Sequence, residues 1–517
     1  MLATQEDAVV RRMGIVSGFA LGIMLAAVPV QAQAPAAPTA KPALSTNPLG
    51  EQTHVDAPLG EVRRFPGDGT GAFATGRHRN LFAEQLGKSE QDTRAKIEAA
   101  FQRFFHGDGQ EETVYFETGV NADGPLAYIT DWANNDARSE GMSYGMMIAV
   151  QLNKKREFDA LWNWSKTHMQ VTDPANPSFG YFAWSMSTDG RPRSVGAAPD
   201  GEEYYAMALY FAANRWGNGQ GIYDYKAEAD KILTGMRHRA VMTGTPPFRI
   251  HPGDAPLIPP SMPWPSPNNR TAAAEAAAKG TPWPPAWYGM VRQNAPVTVG
   301  PMVEESHAMI RFVPETSINT TDASYHLPHF YELWARWGPE QDRAFWSKAA
   351  DVSRDLLVKV VGPNTALSPE RSHFDGSRIT GRDGKPVEFG YDSWRTVSNW
   401  SVDWAWFGKD ARQRTLSDRN QHFLFGQGIK SFPDQYTLDG KPLSRRHSPG
   451  MVAAAAVGGF AAAPGPVSRA FLQELWDMPL PTGEQRYFDG MLYLMSMMHL
   501  GGEFRIIQSN TARRPAS

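Results

Sequence analysis

Apolar residues recur at helical spacing along most of this chain. In Glu90 to Phe105, the residues Ile97, Ala100, Phe101, Phe104 and Phe105 form one stripe of a helix. The same rhythm predicts helices over Glu140–Leu152, Glu157–His168, Ile222–Met236, Ala344–Val360 and Asp392–Phe407. It resumes over Gln421–Ser431, Gly450–Ala463, Ser468–Trp476 and Tyr487–Leu500. Two further helices begin at polar turns. One has Asp200 as its N-cap, with Glu203 completing a capping box. The other is capped within Thr321–Ser324 and runs through His326, Phe330, Leu333 and Trp334. Glu111 to Asp131 is mixed and suits a short strand or a loop. Strand-type alternation is otherwise scarce. About a dozen helices in antiparallel pairs predict an all-α fold, and the lack of a fixed-length repeat favours a closed ring of helix hairpins over a solenoid.

The ends and one internal stretch break the rhythm. Residues 1–32 read as an export signal: Arg11 and Arg12 flank an apolar run from Met13 to Val30, and small residues around Ala32 suit cleavage. The apolar run barely reaches bilayer-spanning length, so no lasting membrane insertion is expected once the signal is cleaved, and the destination is periplasmic or secreted. Residues 33–75 form an Ala/Pro-rich linker and N-terminal extension, 76–507 the main helical domain, and 508–517 a disordered polar tail. Within the domain, residues 243–303 are dense in Pro and Trp, with a short Ala-rich helix from Ala272 to Lys279. A long irregular insert of this kind is usually functional or mobile.

Composition narrows the chemistry. The formal net charge of the 517 residues is -3, without the basic patch a nucleic acid would need. The chain has no Cys, which excludes thiol catalysis and Cys-ligated metals. With 16 Trp, 16 Tyr and 26 Phe it is well supplied with flat apolar faces on which sugar rings stack.

Asn134 to Val150 begins polar and ends as an apolar helix, with Ser139 as its expected cap. One carboxylate, Glu140, stands in its first turn among Ser139, Gly141, Met142, Ser143 and Gly145. Small neighbours let a ligand approach the backbone. Asp200 and Asp322 share this context, each opening an apolar helix after a turn. In a ring of hairpins the inner helices run the same way, so the three acids would gather at one end. Paired carboxylates across a cleft are the equipment of glycoside hydrolysis, although any one of the three also suits an ordinary helix cap. A helix N-terminus lowers a carboxyl pKa, so a general acid there needs burial or a second carboxylate to stay protonated, and Asp200 near Glu140 would serve. His326, His329 and Glu332 lack the i, i+4 pair of a zinc helix, so no metal is expected. Asp403, between Trp400 and Trp404, reads as a buried hydrogen-bonding acid.

The stretch R-S-E-G-M-S-Y-G-M-M-I-A-V-Q (138–151) resembles the acid-bearing signature of glycoside hydrolase family 8. The resemblance continues in order through L-W-N-W (161–164), G-Y-F-A-W-S (180–185), A-P-D-G-E-E-Y-Y-A-M-A-L (198–209), N-R-W-G (214–217), D-A-S-Y-H-L-P-H-F-Y-E-L (322–333) and R-Y-F-D-G-M-L-Y (486–493). The branch most resembled is that of the reducing-end xylose-releasing exo-oligoxylanases. The resemblance implies an (α/α)6 barrel and an inverting hydrolase of β-1,4-xylosidic bonds that acts on xylo-oligosaccharide or xylan as a monomer without a cofactor. It implies Glu140 as general acid and Asp322 as base, their carboxyls about 6.5–9.5 Å apart to admit water. Asp200 would bind the distorted sugar, Trp184 would stack on substrate, and Arg138 would line the same site. That branch closes its cleft with a Leu-His-Pro kink. The corresponding stretch here is R-R-H-S-P-G (445–450), where His447 and Pro449 survive in type, a Ser stands between them and no Leu directly precedes the His. An endo-acting xylanase is therefore the nearest alternative, with cellulase and chitosanase behind it. A polysaccharide lyase using Tyr325 and His326, or a non-catalytic sugar-binding protein, completes the range.

Overall fold

The computed structural model describes residues 63–65, 67–194, 196–246, 277–280, 296–381 and 384–509. The signal, most of the linker, most of the tail and most of the Ala-rich helix in the insert lie outside the described residues. Twelve long helices dominate what is described: α1 Glu90–His106, α2 Ser139–Gln151, α3 Lys155–Trp164, α4 Pro199–Trp216, α5 Tyr225–His238, α6 Pro328–Trp337, α7 Arg343–Val360, α8 Arg395–Phe407, α9 Arg412–Gly426, α10 Pro449–Val457, α11 Pro466–Asp477 and α12 Arg486–Leu500. Burial sorts them into two layers. Outer helices such as α1 bury one stripe (Thr93, Ile97, Ala100, Phe101, Phe104 and Phe105), whereas α2 buries every residue except Glu140 and α12 every residue except Phe488. A helix apolar on all sides belongs inside the ring.

The even-numbered helices form that inner ring, and side chains close each seam. Tyr144 packs on Tyr204, ring centroids 4.4 Å apart, between α2 and α4. Tyr331 of α6 donates to Glu203 of α4 at 2.6 Å, and His329 meets the Trp406 ring of α8 at 5.4 Å. Ser398 of α8 donates to the Ala454 carbonyl of α10 at 3.2 Å. The Gly450 amide of α10 donates to Asp489 of α12 at 3.1 Å, and Tyr487 of α12 returns to Glu140 of α2 at 2.8 Å. Short connections make the outer helices α3, α5, α7, α9 and α11 antiparallel to the inner helices that precede them. The result is the (α/α)6 barrel expected, and all six inner N-termini lie at one end. No described helix is long and apolar enough to cross a membrane.

The differences from the expected elements have local causes. Glu111–Asp131 is an antiparallel hairpin, β1 Tyr115–Asn121 with β2 Gly124–Ile129. A small antiparallel sheet, β3 Asp136–Arg138, β4 Ser185–Ser187 and β5 Pro192–Ser194, precedes or crosses the start of α2. The predicted Gln421–Ser431 helix is Arg412–Gly426, because its first two turns are polar and bury Gln413 and Ser417 beside the lone apolar Leu416, which leaves no apolar stripe to read. The Pro/Trp-rich insert is pinned at its base, where Met242–Gly244 pairs antiparallel with Val297–Val299. Its residues 247–276 and 281–295 lie outside the described set.

Candidate active site

Glu140 reaches the site as the first-turn carboxylate of α2. Its helix is fixed there by the β3–β4 ladder: Ser139 donates its amide to the Trp184 carbonyl at 3.0 Å. That corrects the expected cap. Arg138 occupies the N-cap position without capping through its side chain, and the Ser139 hydroxyl has no partner, lying where a Cβ on Gly201 would sit 2.5 Å away. Gly141 is required by a similar approach: a Cβ there would fall 2.5 Å from the Tyr487 ring, and Tyr487 must come close to donate to Glu140 Oε1 at 2.8 Å.

Asp200 lies one residue inside α4. Pro199 takes the first helical position, where its missing N–H costs nothing, so Ala198 is the N-cap. The expected capping box is absent. Asp200 Oδ1 accepts from the Gly201 amide at 2.9 Å, and Glu203 is taken by Tyr331. Asp322 is displaced further. It caps a 3-10 turn, Ala323–Tyr325, through a 2.7 Å bond from the Ser324 amide, and α6 starts only at Pro328. The cause is Leu327-Pro328, since a residue before proline is held out of the helical region.

One side chain that the sequence reading missed joins these three. Arg395, in the first turn of α8, donates through Nη1 to Glu140 Oε2 at 2.8 Å, to the Tyr144 hydroxyl at 2.8 Å and to Asp200 Oδ2 at 3.0 Å. Its Nη2 donates to Ser324 Oγ at 3.0 Å, beside Asp322. No hydrogen bond or ion pair joins Glu140 directly to Asp322 among the described residues; Arg395 and Ser324 stand between them. A signal for Arg395 was available. A cation in the first turn opposes the helix dipole and needs anions to hold it there. Tyr487 and Asp392 were also missed, the former inside a quoted block and the latter inside a helix read as aromatic.

Burial governs the electrostatics. It pushes Glu140 up to about 7; Arg395 opposes this, while Asp200 and Asp392 reinforce it. Asp200 is pushed up to about 6 by burial against Arg395, with Asp392 adding to the rise. Asp322, wholly buried, is raised well above the usual carboxylate range by burial and by Asp392, and its Oδ2 has no partner. The site therefore offers a carboxylic acid that is protonated near neutrality and a second carboxyl with a free oxygen, linked through a fixed cation.

The other predicted residues fall differently. Trp184 is half-buried beside Glu140, its ring 5.5 Å from the Arg138 guanidinium. Arg138 is paired with Asp131 at 3.1 Å and Asp136 at 3.2 Å, which orient it along the sheet. His447 is not in the carboxylate cluster: its Nδ1 bonds the Phe432 carbonyl at 2.7 Å and its ring abuts Phe432. His326 bonds Thr321 and Ser353, while Glu332 is held by Arg336, Arg354 and Lys409. Asp403 is a wholly buried hydrogen-bonding acid, as read from sequence.

Known proteins resemble this chain along its length. A family model described as glycosyl hydrolases family 8 matches residues 120–255. A reducing-end xylose-releasing exo-oligoxylanase from Paenibacillus barcinonensis is 37% identical over 441 residues, covering 85% of this chain and 99% of that protein. One from Halalkalibacterium halodurans is 36% identical, covering 84% of this chain and 96% of that protein. The crystal structure of a family 8 xylanase from Teredinibacter turnerae, a catalytic mutant in complex with xylohexaose, is 46% identical with a TM-score of 0.73, covering 85% of this chain and 100% of that one.

Proposed function

Because the chain belongs to family 8 of the glycosyl hydrolases, an inverting family of glycosidases, we propose that it cleaves β-1,4-xylosidic bonds and releases xylose from the reducing end of xylo-oligosaccharides. The observation that supports this most is the carboxylate set on Arg395, in a chain that matches the exo-oligoxylanases over nearly their whole length. In the proposed mechanism Glu140 gives its proton to the leaving oxygen. Its pKa near 7 lets it hold that proton at neutrality and release it under load. As the base that the resemblance implies, Asp322 must be ionised to take a proton from the attacking water, so the burial and the Asp392 charge that raise its pKa work against it. As Glu140 becomes anionic and Asp322 neutral, the Arg395 guanidinium between them faces a constant total charge. Asp200 holds the sugar and, as a second acid on Arg395, keeps Glu140 from being drawn down. Trp184 offers a stacking face.

Proton NMR on xylotriose labelled at its reducing end tests this. The label is expected in free xylose, with the new reducing end appearing first as the α-anomer. A label retained in xylobiose, or a β-anomer first, would defeat the exo or the inverting assignment respectively. Endo cleavage of xylan is the second activity to weigh. It is favoured by His447, which turns onto Phe432 with Arg446 rather than Leu before it, and by the higher identity to the Teredinibacter xylanase. Rapid viscosity loss on polymeric xylan would establish it.

Export is also proposed, supported by Arg11, Arg12 and the apolar run that follows. N-terminal sequencing of the protein from its native host is expected to find a start near residue 33; a start at Met1 or Met13 would refute it.

A further inference from the structure

The end of the ring opposite the carboxylates carries a cluster that the proposed chemistry does not use. The inner helices end there, and residues 67–80 cross beneath them as a strap. The Asp68 amide donates to the Gly408 carbonyl at 3.2 Å, just past α8, and Phe73 stacks on Phe407 with ring centroids 5.3 Å apart. Gly71 passes so close that a Cβ there would fall 2.3 Å from the Trp406 carbonyl oxygen. The strap then meets the other end of the chain, where the Ile506 amide donates to Nε2 of His78 at 2.9 Å. An amide can donate only to a ring nitrogen that carries a lone pair. The His78 imidazole is therefore neutral, with its proton on Nδ1.

The surroundings hold it in that form. Burial first, and then the Arg505 cation, lower the His78 pKa from 6.5 to about 4. The carboxylates nearby are already committed: Glu503 pairs with Arg94 at 2.9 Å and with Arg505 at 3.0 Å, and Glu84 pairs with Arg79 at 2.6 Å. From α8 the Trp406 ring meets His78 edge-on at 6.4 Å. Two more histidines stand behind that ring. His329 of α6 meets it at 5.4 Å with a buried Nδ1 that has no partner, and His499 of α12 packs on Phe504 at 3.9 Å. Burial lowers both, His329 well below 6.5 and His499 to about 3, so the floor of the barrel holds no ring charge that could balance a protonated His78. We infer that His78 is an acid-sensitive clasp: protonating its ring turns the acceptor of the Ile506 amide into a donor, sets a second cation beside Arg505 and releases the strap from the barrel floor, while the carboxylate end stays in place.

A released strap takes the ordinary value of 6.5 and a clasped one about 4, so the clasp is at full strength above 6.5 and is lost as pH falls toward 4. Between about pH 7.5 and about pH 5, release gains about thirtyfold. Hydrogen exchange of the folded protein reads this directly, with each rate divided by the intrinsic rate at its pH. Peptides over residues 67–80 and around Ile506 should exchange about thirtyfold faster at the lower pH, while α2 keeps its protection. His78→Gln retains an oxygen to accept from the Ile506 amide and does not titrate, so its strap should exchange alike at both pH values. A wild-type strap equally protected at both, a His78→Gln strap that opens with acid as the wild type does, or a strap that opens only together with α2 overturns the inference. A direct titration needs no variant. The His78 ring proton followed by NMR should titrate at about 4 in the folded protein, and a midpoint at 6.5 would also overturn the clasp.

Discussion

Glu140→Gln is expected to lower kcat by about a thousandfold, within the range general acid catalysis supplies. The protein should remain folded. Gln keeps an oxygen for Tyr487 or Arg395, and a neutral amide relieves a carboxyl that is already crowded by Asp200 and Asp392. Wild-type activity should fall as pH rises through about 7, where Glu140 loses its proton, and the variant should show no such limb. A leaving group decides between a proton donor and a structural part. An aryl xylobioside whose phenol leaves unaided needs no proton, so the variant's deficit on it should shrink to about tenfold. Replacing the base should cost the same on either substrate, because water activation is needed in both. A deficit at Glu140 that ignores the leaving group would remove it from the acid's role.

What the sequence disclosed followed from the physics of each element. Long helices wrote their period plainly; α1 ends within one residue of its expected span. The strands of three residues beside α2 could not, since three positions carry no measurable alternation. Glu140 and Asp200 were legible because a carboxylate in the first turn of an apolar helix is visible in one dimension. The reading of Asp322 had the right residue in the wrong element, because the periodic stretch runs on through Leu327 while Pro328 resets the helix. Arg395 and Asp392 stayed hidden for a different reason. Arg395 takes its meaning from contacts with residues 255, 195 and 71 positions away, which no local pattern records. The Ser139 cap failed because tertiary pairing to Trp184 fixed the backbone first.

Arg354→Met should give the largest loss of stability, about 3–5 kcal/mol, the cost of removing one partner from a buried ion pair. Arg354 lies on the outer helix α7 and is wholly buried. It donates to both oxygens of Asp403 in α8, at 2.8 and 2.7 Å, and through Nη1 to Glu332 of α6 at 3.0 Å and Asp351 at 2.9 Å. Met fills a similar volume, so the packing defect is small and the electrostatic one dominates. The losses are unequal. Glu332 keeps Lys409 and Arg336, and Asp351 is partly exposed to water, but Asp403 retains only the Gln413 amide at 2.7 Å. Asp403→Asn in the Met background should therefore recover most of the loss, because it removes the stranded charge. Denaturant midpoints of the wild type, both single variants and the double variant measure this coupling. A Met variant as stable as the wild type, or an Asn substitution that fails to rescue it, would show that the pair does not bind α7 to α8. Arg395 stands in the first turn of α8 and Asp403 about two turns further on, so kcat of the folded Met variant at low temperature should hold while its tolerance of heat falls.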